Sequence, residues 1–127
     1  MTENGRIVLA VPTNGAGGLD CERSGHFGRC DCFTVVEIED GAVAGVRIVA
    51  NPPHEEGGCL RPVNLLAGEG VNALVVAGIG GRPLAGFTDA GIAVYFDNMR
   101  PVVSEVIDAM LAGEVELIDP SAVCGGH

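Results

Sequence analysis

Three side chains that bind transition metals stand close together in the segment Ser24–Phe33. His26, Cys30 and Cys32 lie in this segment, beside glycines and directly before an apolar run. Imidazole and thiolate are donors that transition metals prefer, and loops between strands often carry function. The pattern predicts that this loop forms one wall of a site for a metal or a metal–sulfur cluster.

Cys30 and Cys32 are the sharpest part of this pattern. Residues two apart in an extended strand face the same side, roughly 6.6–6.8 Å from each other, so two thiolates there could flank one cluster. Free cysteines are also often small buried hydrophobic residues, and that is the alternative. Asp31 between the cysteines and His26 before them favour a polar rim, and therefore the metal site.

Two later segments carry further thiol and imidazole groups. Cys59 stands at an expected helix start, where the helix dipole favours the thiolate, although it could equally pack beneath the first turn. Cys124 and His127 have the C-x-x-H spacing of a metal half-site in a polar tail. These three residues complete the predicted metal ligands. Cys21 has no partner pattern and is the weakest candidate.

A glycine-rich turn offers backbone N–H groups to an anion. Gly78, Gly80 and Gly81 follow a buried apolar run and precede a helical one, an arrangement that can hold an anion at a helix start. A tight strand-to-helix turn without a ligand explains these glycines equally well. Arg82 and Arg29 are the predicted counter-charges for a bound anion.

The composition limits the class of protein and its partners. The chain has 127 residues, 47% of them hydrophobic, with a net charge of -10 and no lysine. The length suits one domain, and the acidity disfavours nucleic acid and anionic membranes as partners. No signal peptide or membrane-length apolar run is visible. In a reducing cytoplasm, the five cysteines favour metal binding or redox chemistry over disulfides.

Apolar periodicity predicts a single α/β domain with a mixed sheet flanked by helices. Strands are expected at 6–11, 31–39, 43–50, 71–77, 92–96 and 115–118, and helices at 60–68, 84–90 and 101–111. Asp40–Gly41 is expected to form a hairpin turn. The domain is expected to span residues 1–127, with its core at about 6–118 and a flexible tail at 119–127.

The expected strand order brings these separate segments to one edge of the sheet. If the second strand is antiparallel to the first, Cys30 and Cys32 lie at the carboxyl end of the first strand. The third strand then returns to that edge ahead of Cys59, and a parallel strand brings Gly78–Arg82 there. A final strand would leave the tail nearby. Open α/β sheets bind ligands at this edge, so the predicted site lies there.

Several segments resemble those of a known family. Gly25–Arg29, Gly78–Leu84 and Met110–Glu114 are similar to the dinitrogenase iron–molybdenum cofactor biosynthesis family, which includes NifX-like proteins and the C-terminal part of NifB-like proteins. Asn51–His54 and Gly57–Cys59 resemble the branch of that family with the orange protein, which carries a molybdenum–copper sulfide cluster.

The resemblance implies a ribonuclease-H-like fold that is used for binding and not for nuclease chemistry. It implies a preformed metal–sulfur cluster as ligand, of the iron–molybdenum, molybdenum–copper or iron–sulfur type. His26 fits best the loop histidine that ligates the cluster in such relatives. A cofactor-assembly protein or an ATPase is the implied partner protein. Many relatives lack the thiols of Cys30 and Cys32, so the metal stays open.

We therefore predict a non-catalytic carrier of a metal–sulfur cluster that serves cofactor assembly, storage or delivery in the cytoplasm. Two alternatives stay open. One is a thiol redox protein that uses Cys30 and Cys32, and the other is a regulatory module that binds an anion or small molecule. The sequence has no G-x-S-x-G or H-E-x-x-H motif, so these hydrolase patterns give no support for an enzyme.

Overall fold

Strands and helices follow one another along the described chain, which in the computed structural model comprises residues 6–24, 30–51, 61–79, 81–97 and 99–118. The order is β1 (Arg6–Thr13), β2 (Cys32–Glu39), β3 (Ala42–Ala50), α1 (Arg61–Gly68), β4 (Ala73–Val76), α2 (Gly81–Asp89), β5 (Ala93–Phe96), α3 (Val103–Leu111) and β6 (Glu116–Leu117). Each expected element is present, with its bounds within three residues of the prediction.

The six strands form one mixed sheet with the order β3-β2-β1-β4-β5-β6. Strand β1 pairs with β4 in parallel, and β4 pairs with β5 in parallel. On one side, β2 is antiparallel to β1 and β3 is antiparallel to β2, so β3 runs in the same direction as β1; on the other side, β6 is antiparallel to β5. The predicted α/β class and mixed sheet are confirmed.

Each face of the sheet carries its own apolar layer. Helices α1 and α2 pack on the face that includes Phe33 and Val35, and α3 packs on the face that includes Val36 and Ile38. Because successive residues of a strand point to opposite faces, the continuous apolar runs of the central strands supply both layers. Within the described ranges, no helix has the length and apolar character needed to cross a membrane.

A tight turn joins β2 to β3, as the Asp-Gly pair predicts. Asp40 has a φ of 55° and Gly41 a φ of 80°, and two positive φ values in succession define a type I′ turn. The backbone twist of this turn matches that of the paired strands, which is why Asp-Gly favours it. Glycine suits position 41 because residues with a side chain avoid such a positive φ.

The first strand continues through Pro12, where the sequence predicts its end. Pro12 pairs with Phe33 and Thr13 with Cys32 on the β2 side. On the β4 side, the parallel register ends at Ala10, so the missing N–H of Pro12 removes no ladder hydrogen bond there. Segment 22–24 lies beside β1 here instead, and the Ser24 N–H donates to the Pro12 carbonyl at 2.8 Å, a pairing that needs no N–H from the proline.

Strand β3 leaves apolar side chains exposed because it lies at the edge of the sheet. Val46 and Ile48 are 41% and 44% exposed, whereas Val49, on the opposite face, is buried. Exposed and buried residues therefore alternate in this part of β3, with Val49 on the buried face. The apolar layer beneath α3 includes Val36 and Ile38 of β2 but neither of the two exposed residues.

The final strand, β6, does not run in the direction that would carry the chain toward the edge of the predicted site. Because β6 is antiparallel to β5, Glu116 pairs with Phe96, and the Ile118 N–H donates to the Val94 carbonyl at 2.8 Å. At Ile118 the chain therefore runs away from the carboxyl end of β5, and the expectation that a final strand leads toward that edge is wrong. Cys124 and His127 lie outside the described residues.

Truncation of a core aromatic side chain should destabilise the protein far more than truncation of an exposed one. Phe33 is fully buried and Phe96 is 42% exposed. Phe33→Ala should lower the free energy of unfolding by about 3–5 kcal/mol. Phe96→Ala should cost about 1 kcal/mol, because full burial of such a side chain is worth only about 1.5–3 kcal/mol. Urea denaturation followed by circular dichroism measures both, and equal losses would contradict this assignment of the core.

Candidate functional site

The carboxyl ends of four strands meet at one edge of the sheet. Thr13 at the end of β1 pairs with Cys32, which pairs in turn with Ala50 at the end of β3. Val76 at the end of β4 lies beside Phe96 at the end of β5. The predicted convergence of segments on this edge is confirmed for the described part of the chain.

The predicted site residues divide into described and undescribed groups. Cys30, Cys32 and Gly78 lie at the carboxyl edge, and Gly81 begins α2 there. The other predicted site residues fall outside the described positions, namely His26, Arg29, Cys59, Gly80, Cys124, His127 and the side chain of Arg82. Their roles stay predictions.

The two residues that flank segment 25–29 are both fixed at the end of β1. The Ser24 N–H donates to the Pro12 carbonyl at 2.8 Å. Beyond the segment, Cys30 is followed by Asp31, whose N–H donates to the Thr13 carbonyl at 3.1 Å. The described residues on either side of segment 25–29, which contains His26, therefore both lie at the carboxyl edge.

Cys30 and Cys32 do not share one face of a strand. Strand β2 begins at Cys32, so Cys30 precedes it, and the Asn51 side chain donates to the Cys30 carbonyl at 2.8 Å. Cys30 packs in the apolar layer beneath α1 and α2. Cys32 and Val36 are an even number of residues apart in β2 and therefore point to the same face, the one that packs against α3. The predicted same-face spacing is wrong because the extended strand does not reach Cys30.

Both thiols are buried, and their pKa values are raised. Cys30 is 4% and Cys32 5% exposed. Burial raises the pKa of Cys30 to about 11, and the nearby Cys32 and Asp31 add to the rise, while a backbone hydrogen bond from Thr13 opposes it. Burial, Asp31 and Cys21 raise the pKa of Cys32. Either sulfur would bind a metal only with release of its proton.

Cys21 stands closer to Cys32 than its place in the sequence suggests. Its Sγ donates to the Gly17 carbonyl at 3.0 Å, and a Cβ atom on Gly17 would stand 2.9 Å from Cys32 Sγ. The two cysteines therefore contact the same glycine. The only signal in the sequence is the group of three glycines Gly15, Gly17 and Gly18, which permits such a close approach of backbone and side chain.

A buried ion pair that the sequence analysis missed holds the end of β5. Asp97, with a side chain 2% exposed, accepts from the Met99 N–H at 2.8 Å and from Arg100 Nη1 at 3.0 Å. Burial alone would raise the pKa of Asp97, but these hydrogen bonds and the Arg100 charge outweigh it and lower the pKa. Arg23 Nε donates to the Arg100 carbonyl at 2.6 Å. Burial lowers the pKa of Arg23, and the charge of Asp97 opposes that change.

The segment before residues 25–29 is also bound to the start of α3. The Arg23 N–H donates to the Pro101 carbonyl at 2.9 Å. In return, the Val103 N–H donates to the Cys21 carbonyl at 3.0 Å, and the Ser104 N–H donates to the Leu19 carbonyl at 2.8 Å. The first amides of α3, which a helix leaves without internal partners, are therefore used to position this loop.

The N-termini of α1 and α2 lie at the same edge, and neither helix has an acidic residue in its first turn. Helix α1 ends at Gly68, and the chain then reaches Asn72, whose N–H donates to the Val8 carbonyl near the start of β1, so the C-terminus of α1 lies toward the opposite edge. Helix α2 follows β4 in the same sense. Helix N-termini carry partial positive charge and favour anions, so this face of the edge favours a negatively charged ligand.

The described residues contain no ready-made site for a metal ion with three or more ligands. Among them, no three side chains of His, Cys, Asp or Glu are grouped so that they could hold one ion. Cys30 and Cys32 are the predicted metal ligands that the structure places, and they lie on opposite faces. A larger ligand set would have to include residues beyond the described ranges.

Comparison with known proteins identifies the family. Residues 5–113 match the family described as dinitrogenase iron-molybdenum cofactor. The chain belongs to this family. An uncharacterized protein of Methanocaldococcus jannaschii is 37% identical over 113 residues, which cover 87% of this chain and 89% of that protein. The resemblance that the sequence motifs indicate is confirmed.

Two solved structures of similar proteins share the fold of this family member. The apo form of the orange protein from Desulfovibrio gigas is 27% identical, with a TM-score of 0.77, and the alignment covers 87% of this chain and 92% of that one. A Thermotoga protein named as NifB is also 27% identical, with a TM-score of 0.71 and the same coverage.

Loss of the Asp97 charge should destabilise the protein at neutral pH and have little effect in acid. Hydrogen bonds to a charged group contribute about 1.5–3 kcal/mol, so Asp97→Asn should lower the free energy of unfolding by about 2 kcal/mol. The lowered pKa of Asp97 means that this stabilisation is present above the ordinary carboxyl pKa of about 4. It is lost as the pH falls through the folded-state value.

Urea denaturation from neutral to acidic pH measures this dependence. Asp89→Asn, at an exposed position at the end of α2, is the matched control and should change stability by less than about 0.5 kcal/mol. A difference between Asp97→Asn and the unmodified chain that stays constant into acid would contradict the ion pair.

The thiols should differ in their rate of alkylation. Cys21 is partly exposed, while Cys30 and Cys32 are buried and have raised pKa values, so iodoacetamide near neutral pH should modify Cys21 before Cys30 and Cys32, because the thiolate is the reactive form. Peptide mass spectrometry after timed labelling resolves each residue, and labelling in urea should remove the differences. Labelling of Cys30 as fast as Cys21 in the folded protein would be inconsistent with its burial.

Proposed function

We propose that this family member is a non-catalytic carrier of an anionic metal–sulfur cluster, which binds at the carboxyl edge of the sheet on the side of α1 and α2. The observation that carries this proposal is the presence at one edge of two helix N-termini without acidic first-turn residues, in a chain of the iron-molybdenum cofactor family. The cluster is the protein's cargo, received in assembled form and passed on.

The charge of the cargo explains why this face suits it. The chain as a whole has a net charge of -10, so an anion needs local positive potential in order to bind. The N-termini of α1 and α2 supply it, with Gly78 in the connection between β4 and α2 and Gly81 as the first residue of α2, where backbone N–H groups are available. In this proposal Arg29 and Arg82 neutralise the remaining charge.

The ligands of the metal come from the loops at this edge. Segment 25–29 is anchored on both sides at the end of β1, and His26 within it is the proposed imidazole ligand. Cys30, on the α1 and α2 side, is the proposed thiol ligand and would lose its proton when metal binds. Cys59, Cys124 and His127 stay predicted ligands of the same cluster.

The cargo that we propose contains molybdenum, combined with iron or with copper. Support for molybdenum comes from the description of the family. We further propose a cofactor-assembly protein or an ATPase as partner and the cytoplasm as location. The ribonuclease-H-like label for the architecture also stays a prediction.

The alternative thiol redox function has less physical support. A redox thiol must form its thiolate readily to attack a disulfide, yet burial raises the pKa of both Cys30 and Cys32. The two side chains also lie on opposite faces of the sheet. These features favour a structural or metal-ligating role for the two residues over attack on a substrate disulfide.

Anaerobic reconstitution with iron, molybdate, copper and sulfide tests the carrier function. The purified full chain should acquire visible charge-transfer bands, with molybdenum in elemental analysis. His26→Ala and Cys30→Ser should each reduce retention of the cluster on gel filtration by about tenfold or more, because even outer-shell partners of a metal contribute about 10–100-fold. His54→Ala, which changes a histidine without an assigned role, is the matched control and should retain the cluster.

Two other results would contradict the carrier function and support one of the two alternative functions. A reversible two-electron dithiol titration without charge-transfer bands would support the redox protein. Binding of an anion that survives substitution of all five cysteines and of His26 would support the regulatory module. Elemental analysis of the protein isolated from its own host without air then decides between iron and copper as the second metal.

A further inference from the structure

A cleft opens where β5 ends beside the start of β6. Its volume is about 150 Å³, and the residues that line it are Phe96, Asp97, Met99, Arg100, Glu114 and Glu116. Phe96 and Glu116 are directly opposite each other in the antiparallel pair of β5 and β6, so their Cβ atoms lie about 4.5–5.5 Å apart. An aromatic ring and a carboxylate therefore stand side by side in the wall of the cleft.

Two apolar side chains of the cleft are exposed to solvent. Phe96 is 42% and Met99 73% exposed, and neither belongs to the two apolar layers of the sheet. The Met99 N–H donates to the Asp97 carboxylate at 2.8 Å, so the backbone of Met99 is held in place although its side chain is exposed. Exposed apolar groups that gather at one place with a polar rim mark interaction sites.

The polar wall of the cleft has an excess of negative charge. Arg100 is the basic residue among those that line it, and its guanidinium lies 3.0 Å from Asp97 and 3.0 Å from Glu114. Glu116 forms no ion pair with any residue of the described ranges. Three carboxylates thus stand against one guanidinium, which leaves two negative charges uncompensated. The cleft therefore attracts a cation and repels an anion.

We propose that this cleft docks a partner protein through an arginine that stands between apolar residues in an exposed segment of that partner. The guanidinium pairs with the Glu116 carboxylate and lies on the Phe96 ring, because arginine both pairs with carboxylates in a planar geometry and stacks on aromatic faces. The apolar neighbours of the arginine cover Met99. Charge and exposed apolar area are then satisfied by the same segment.

The size of the cleft and the charge of the chain favour a basic protein over other occupants. Pockets for small organic ligands measure about 300–1,000 Å³, whereas about 150 Å³ suits one side chain. A second copy of this chain carries the same net charge of -10, so the two copies repel each other. Nucleic acids and anionic membranes are repelled for the same reason.

Titration of the ¹⁵N-labelled full chain with a short peptide, followed by NMR, tests this surface. The probe is an acetylated and amidated peptide with the order glycine, leucine, arginine, leucine, glycine. It should shift the amide signals of Phe96, Met99 and Glu116, while the same peptide with glutamate in place of arginine should not. Glu116→Lys should weaken binding about tenfold, because repulsion replaces attraction. Met99→Ala should weaken it about threefold, because less apolar area is buried.

Two matched controls separate docking from general attraction to an acidic chain. Glu39→Lys makes the same change of charge at the opposite edge, where Glu39 pairs with Arg6 at the start of β1. It should alter the affinity by less than about twofold, because salt screens distant exposed charges. Leu111→Ala removes an exposed apolar side chain at the end of α3 and should have no effect. Circular dichroism checks that each variant is folded.

Two results would overturn the proposal. One is equal weakening by Glu39→Lys and Glu116→Lys, which would indicate attraction to the whole chain. The other is the absence of shifts at the cleft with millimolar peptide. The test uses the chain without metal and does not depend on the proposed cluster. Peptide binding that depends on Glu116, in a protein that acquires no cluster, would support the docking surface and contradict the carrier function, and the reverse pair of results would do the opposite.

Discussion

The pairing of β1 with a strand on each side is the interaction on which the rest of the molecule depends. β1 pairs antiparallel with β2 along its whole length and in parallel with β4 at Leu9 and Ala10. This double pairing fixes the direction of every other strand relative to it. Because the hairpin turn then returns β3 parallel to β1, four strand ends and the connections that follow them share one edge.

That edge has two electrostatically different sides. On the α1 and α2 side, helix N-termini supply positive potential. On the α3 side, the corresponding N–H groups are already bonded to carbonyls of the loop around Cys21, and the thiols face carbonyl oxygens. The sheet separates the two sides.

The loop between β1 and residue 25 owes its position to the buried ion pair at the end of β5. Asp97 binds Arg100, and Arg23 in the loop donates to the Arg100 carbonyl. Burial makes an unpaired charge costly, so these three residues fix one another. A loop that is held in this way presents its neighbouring segment at a defined place, which is what a binding site needs.

The sequence by itself determined the elements, the two-faced central strands, the type I′ turn and the family, because these follow from local periodicity, the Asp40–Gly41 pair and contiguous motifs. The relative directions of β1 to β5 also followed, since short connections allow few topologies. Three features were decided only by the tertiary structure: the separation of Cys30 from Cys32, the approach of Cys21 to Cys32, and the direction of the chain at Ile118. Each depends on a hydrogen bond or contact between residues distant in sequence. Such pairings leave no periodic signal in the order of residues.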